Sequence, residues 1–156
     1  MLCFDRKNSR FNLRVVGVMI QDNKILVHRS ENDDFWALPG GRNEFHEFSE
    51  ETLIREMKEE INEEVDVERL LWVVENFFDF DEKKYHEIAF YYLMKLKNDS
   101  ELYKVSEFYG KEDNCNLIFK WVDLKDLKNL EIYPTFLKTK VMNLSDNIEH
   151  IKHEGD

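Results

Sequence analysis

The stretch Gly41-Arg-Asn-Glu-Phe-His-Glu47, followed after seven residues by Arg55-Glu56-Met57-Lys58-Glu59-Glu60, limits what this chain can become more than any other feature. It requires a glycine turn after Pro39 that feeds a helix. Ser49 is the expected N-cap, Glu50 and Glu51 suit the positive end of the helix dipole, and the helix should run to about Glu60. Leu53, Ile54 and Met57 supply its apolar stripe. Glu56, Glu59 and Glu60 then stand at i, i+3 and i+4, on one helical face. Three carboxylates so close repel one another, and a divalent cation removes that penalty. Oxygen ligands of this kind suit Mg2+ or Mn2+, which bind through carboxylates together with substrate phosphates. Arg55, next to Glu56 and four residues before Glu59, can fix the rotamer of a neighbouring carboxylate. Gly40 and Gly41 can adopt positive φ and let a carbonyl approach a ligand. The plainer alternative is a solvated acidic helix behind an ordinary Pro-Gly-Gly turn. The common register of glycine, Glu47 and arginine argues against it.

Gly41-x5-Glu47-x7-Arg55-Glu56-Met57-x-Glu59-Glu60 resembles the Nudix box, and Trp36-Ala-Leu-Pro-Gly-Gly41 is similar to the segment that commonly precedes it. The resemblance implies an α/β/α sandwich with a mixed β-sheet between helices. It also implies a hydrolase that uses Mg2+ or Mn2+ and water to cleave a nucleoside diphosphate linked to another moiety. Glu56, Glu59 and Glu60 would be metal ligands or the water-activating base, with Glu56 in that last role. Glu47 would support the metal shell, Arg55 would orient a carboxylate, and the Gly40 carbonyl would be a further ligand. Where the family has Gly and an aliphatic residue at the end of the box, this chain has Asn62 and Glu63. Asn62 can still end the helix in the left-handed conformation, and Val65 can take the packing role.

Outside the box the residues leave alternatives. Arg29, beside His28 at the end of a strand, meets substrate phosphate by the resemblance or else forms a surface salt bridge. Phe35 and Trp36 either stack on a base or cover the core beneath their loop. Glu87 either faces the metal or is an ordinary strand-end polar residue. Glu112 lies in a loop where related enzymes bring an additional carboxylate to the metal. The alternative to the hydrolase is a Nudix-like domain that senses a nucleotide or metabolite without cleaving it. The intact charged positions of the box weigh against that.

The 156 residues, 42% of them hydrophobic, suit a single domain. A net charge of −11 disfavours nucleic-acid polymers, which are bound through basic surface. Residues 47 to 64 carry eight Glu against two cations, so a small anionic substrate must arrive with its metal or meet local cations such as His28 and Arg29. Cys3 and Cys115 lack a CxxC or zinc spacing and read as reduced thiols. With no apolar leader and no span-length apolar run, the expectation is the cytoplasm, with no membrane partner. The aromatic surplus leaves room for a homodimer.

Strands are expected over 11–20, 25–29, 65–80, 86–96 and 117–122, the fourth apolar on both faces as a buried central strand would be. Residues 98–116 read as a long excursion or lid. Asp123 should cap a short helix, Pro134 should open a C-terminal one, and the residues after about 145 should form a flexible tail.

Overall fold

A computed structural model describes residues 1–113 and 116–155; Cys115 lies outside the described residues. Strands β1 (Cys3–Arg6) and β2 (Ser9–Val18) pair antiparallel. After β3 (Ile20–Gln21), a turn at Asp22-Asn23, both with positive φ, returns the chain into β4 (Lys24–Ser30). β5 (Gly40–Arg42) then leads to helix α1 (Ser49–Ile61). The long hairpin of β6 (Val65–Phe80) and β7 (Lys83–Leu96) turns at Asp81-Glu82, again through positive φ. β8 (Glu107–Tyr109), β9 (Leu117–Asp123), α2 (Leu137–Lys140) and β10 (Glu149–Glu154) complete the chain.

Among the described residues the strands form two sheets, one ordered β1-β2-β7-β6-β10 with β5 against β2, the other β3-β4-β9-β8. β7 runs parallel to β2 and antiparallel to β6, which makes the larger sheet mixed. Apolar residues alternate between two cores. Val16 and Val18 of β2, Tyr91 of β7, and Ile25 and Val27 of β4 face Leu127, Leu137 and Val141. Val15, Tyr92, Met94, Leu26, Phe119 and Trp121 face Leu53, Met57 and Ile61 of α1. Burial on both faces is why these strands read as near-continuous apolar runs. This is the α/β/α sandwich with helices on either side of the strands.

Several local expectations are corrected. α1 buries Leu53, Met57 and Ile61, one turn apart, whereas Ile54 is exposed. Phe48, not Ser49, is the N-cap; the Glu51 carboxylate accepts the Phe48 amide at 2.9 Å, while the Ser49 hydroxyl meets that of Tyr92 at 2.6 Å. Asn62 does end the helix in the left-handed conformation, its amide donating to the Lys58 carbonyl, and Val65 packs in the core beside α1. The excursion at 98–116 is no free lid in its described part. It holds a 3-10 helix (Glu101–Lys104) and β8, and it is pinned by the Trp121 indole N–H to the Leu102 carbonyl and the Lys111 amide to the Glu60 carbonyl. The helix expected at Pro134 is a single turn beginning three residues later.

The C-terminal segment is the largest departure. Residues 149–154, expected to fray, form β10 in parallel register with Trp72–Phe77 of β6. Its one aliphatic residue, Ile151, packs against the core.

Candidate active site

Arg55 organises the first part of the site. Its Nε and Nη2 donate to the two oxygens of Glu47 at 2.8 and 3.1 Å, and Nη2 also reaches the Arg42 carbonyl at 3.2 Å. Nη1 donates to Glu56 at 2.9 Å and lies 3.4 Å from Glu59. Glu47 further accepts the Thr52 hydroxyl and the Glu44 amide, and Asn43 braces Thr52 and the Glu47 carbonyl. Hydrogen bonding from Arg55 holds the Glu47 carboxyl at about 2, well below the ordinary value. Glu47, expected to support the metal shell, has both oxygens hydrogen-bonded to protein donors.

Glu56 and Glu60 are differently placed. The Glu56 side chain lies against Gly41 so closely that a Cβ there would overlap its carboxylate. The two box glycines are thus needed for space: neither has positive φ, contrary to expectation, and both are paired to β2. Burial raises the Glu56 pKa, and the Arg55 hydrogen bond only partly opposes it. Glu60 is 6% exposed and its Oε2 is buried without a hydrogen-bond partner. Burial, followed by the charge of Glu56, pushes it up to about 8, with Glu112 adding to the repulsion. Glu59 is half-exposed at the rim.

A cavity of about 280 Å³ lies over this pair, walled by Gly40, Gly41, Glu56, Glu60, His28 and Arg14. Among the described residues no three His, Cys, Asp or Glu side chains are yet drawn together as a metal cage. Glu56 and Glu59 lean instead toward Arg55. The donors still fit a hard cation: all are oxygens, and one is buried without a partner beside a second carboxylate. His28 does not supply the expected positive charge. Burial, with the nearby Arg14, drives its pKa down to about 3, so the imidazole is neutral.

A second cavity of about 390 Å³ adjoins the first, with Arg14 and Arg42 lining both. Phe35, Phe78, Phe80, Tyr85 and Tyr133 form aromatic walls, and Asn12, Asn76 and Glu87 lie among its lining residues. Glu87 accordingly faces this cavity rather than the carboxylate cluster. Arg29 and Trp36 line neither cavity. Arg29 donates to the carbonyls of Ser30, Glu31 and Asp33 and stacks over Trp36 at 5.2 Å, so it clamps its own loop. Trp36 packs against the core, and its backbone bridges to Glu131 and Tyr133.

Arg14 and Arg42 escaped the sequence reading. Arg10 and Arg55 are held by carboxylates, but Arg14, next to the apolar run Val15-Val16 of β2, lines both cavities. An arginine interrupting Leu13-x-Val15-Val16 was the available signal.

Two carboxylates packed at a glycine turn, an aromatic cavity beside them and Arg14 and Arg42 lining both make a site with a cation-accepting end and a ring-accepting end. The family model described as NUDIX domain matches residues 11–140, and the chain belongs to the Nudix hydrolase family. An RNA pyrophosphohydrolase of Nitratiruptor is 29% identical over 96% of this chain and 98% of its own length. A Bacillus subtilis protein bearing the name of an ADP-ribose pyrophosphatase is 36% identical over 62 residues, 40% of this chain; the match spans only 30% of that relative's length. Among solved structures, an ADP-ribose pyrophosphatase of Streptococcus suis superposes with a TM-score of 0.61 over 90% of this chain and 98% of that one. At 16% identity it speaks for the fold alone. Among the described residues no helix is long and apolar enough to cross a membrane.

Proposed function

We propose that the protein hydrolyses the phosphoanhydride link of a small nucleoside diphosphate derivative, with the base in the aromatic cavity and the phosphates passing Arg14 and Arg42 to the carboxylate cluster. The observation that carries this reading is the continuity of the two cavities through those arginines. Phe35 and its aromatic neighbours would stack on the base. Arg14 and Arg42 would hold the diphosphate and neutralise charge that builds on its oxygens. Glu56, Glu59, Glu60 and the Gly40 carbonyl would hold Mg2+ or Mn2+, joined by Glu112, whose charge acts on Glu60. The ion, when bound, supplies Lewis acidity toward the phosphate oxygens. Glu56, pinned by Arg55 and Gly41, would take the proton from the attacking water; Glu47 would serve only to hold Arg55. The net charge of −11 favours a small nucleotide over an RNA end, and two widely spaced cysteines without a CxxC fit a cytoplasmic enzyme.

The test is incubation of the pure protein with nucleoside triphosphates, nucleotide sugars, ADP-ribose and 5′-triphosphorylated RNA, each with Mg2+, Mn2+ or chelator. Metal-dependent release of a nucleoside monophosphate from a small substrate is the expected result. Turnover confined to RNA would overturn the small-molecule reading, and no turnover of any compound would overturn the hydrolytic one.

A further inference from the structure

β10 ends at the aromatic cavity and is tied to its wall. Residues 149–154 lie in parallel register with Trp72–Phe77, so the paired stretch stops where β6 continues as the cavity-lining Phe78, Asp79 and Phe80. Gly155, which also lines the cavity, donates its amide to the Phe77 carbonyl at 2.8 Å. The His153 ring meets Oδ1 of Asn76, another lining residue, at 3.0 Å and packs edge-on against Phe136.

The remaining hold on β10 is light. It is an edge strand of its sheet, and parallel pairing is slightly weaker per residue than antiparallel. Its residues alternate between half-buried and exposed, and Ile151 is its one aliphatic side chain. The His150–Glu75 contact at 2.7 Å lies at the surface, where such a pair contributes little. Residues 141–148, which lead into it, are neither helix nor strand. Arg69 tethers that segment at the Ser145 carbonyl, and Lys140 holds Glu149 at the start of the strand. The lightly held end is therefore the one at the cavity. An edge segment kept mainly by its backbone ladder opens locally without global unfolding.

With nucleotide binding in that cavity taken from the reading above, we propose that β10 is a strap on the cavity wall, and that the docked strap and a bound nucleotide stabilise each other. When the strap lifts, Gly155 leaves the cavity, Asn76 loses His153, and the backbone of β6 loses its partner just ahead of Phe78. A ligand seated against those groups binds the docked form in preference to the lifted one. Linkage then requires that the ligand favour docking by the same factor.

The nucleoside monophosphates test this, because they carry the base without the link to be cleaved. Calorimetric titration with AMP, GMP, CMP and UMP finds one that binds, and amide hydrogen exchange is followed in the unaltered protein with and without it. At ten times its Kd, exchange across 149–155 should slow about tenfold, because the lifted form holds no ligand. β8, an edge strand of the other sheet that lines neither cavity, should slow less than about twofold. Ile151→Ser loosens the strap and should weaken the nucleotide about tenfold with Mg2+ affinity unchanged. Should that variant fail to fold, the exchange measurement on the unaltered protein decides. Unchanged exchange across 149–155, equal slowing of β8, unaltered nucleotide affinity in folded Ile151→Ser, or no binding of any of the four would each overturn the strap. Turnover of nucleotides without protection of β10 would overturn it and leave the hydrolase standing. Protection of β10 in a protein that turns over nothing would uphold it and remove the hydrolase.

Discussion

Glu47 lies just before α1 and Glu60 in its last turn, yet their surroundings drive them in opposite directions. Glu47 accepts four hydrogen bonds, from Arg55 twice, Thr52 and the Glu44 amide, and its pKa falls to about 2. Glu60 is more deeply buried, has one oxygen with no partner, and sits beside Glu56, so its pKa climbs to about 8. One guanidinium accounts for much of the difference, because its fork faces Glu47 and reaches only the near edge of the Glu56–Glu60 pair. A satisfied carboxylate is a piece of scaffold. A pair held away from solvent, with one oxygen left without a partner, is where an outside cation has most to gain.

The contrast can be broken at several points. Glu56→Gln removes the proposed base without changing shape, and kcat should fall on the order of 1000-fold with the melting temperature nearly unchanged. Steady-state rates and a thermal melt check this, and near-normal turnover would take Glu56 out of the mechanism. Arg55→Ala strikes the satisfied side. Freed of its anchor, Glu56 loses its position, and kcat should drop roughly 100-fold, with Arg55→Lys recovering little because an ammonium cannot fork. Recovery to the level of the unaltered enzyme would reduce Arg55 to a simple counter-charge.

Stability against pH separates the two carboxylates directly. Glu60 has a raised folded-state value, so in metal-free protein its contribution is fully present below about 4.5 and is lost as pH rises toward 8. Urea denaturation between pH 5 and 8 should therefore show stability declining by up to about 1.4 kcal/mol per pH unit. Glu60→Gln should flatten that decline, and millimolar Mg2+ should offset it. Glu47 has a lowered value, so its contribution is present above about 4.5 and is lost as pH falls toward 2. Glu47→Gln should lower stability above about pH 4.5 and flatten the profile on the acid side alone. A flat profile from pH 5 to 8 would mean that Glu60 ionises freely in the folded protein. The smallest effect is expected at the helix exit. Asn62 holds φ 56°, which costs glycine little, so Asn62→Gly should be neutral or stabilise by up to about 0.5 kcal/mol in the same denaturation experiment.

The box and its helix were legible because their chemistry repeats at helical spacing, and β2, β4, β6, β7 and β9 because burial on two faces leaves long apolar runs. β10 was not. An edge strand with one inward aliphatic residue, Ile151, amid Glu149, His150, Lys152 and His153 carries almost no hydrophobic signal, and its pairing comes from backbone groups of β6. Arg29 and Arg14 show the same limit within the site. Both are arginines on strands, and only the third dimension reveals that one closes on loop carbonyls while the other stands between two cavities. Glu60 was recognised by spacing, but its unpartnered oxygen depends on what the neighbouring loop and β2 bring over it.

β10 also bears on how the molecule stays in solution. β6 is sixteen residues long, and without β10 its outer edge would offer a row of unpaired amides and carbonyls along Trp72–Phe77, flanked by aromatic side chains. Such an edge is a template on which a second chain can add a strand. A version of the protein trimmed at residue 148, on the view that the remainder is dispensable, should therefore precipitate or form strand-exchanged aggregates before any question of its chemistry arises.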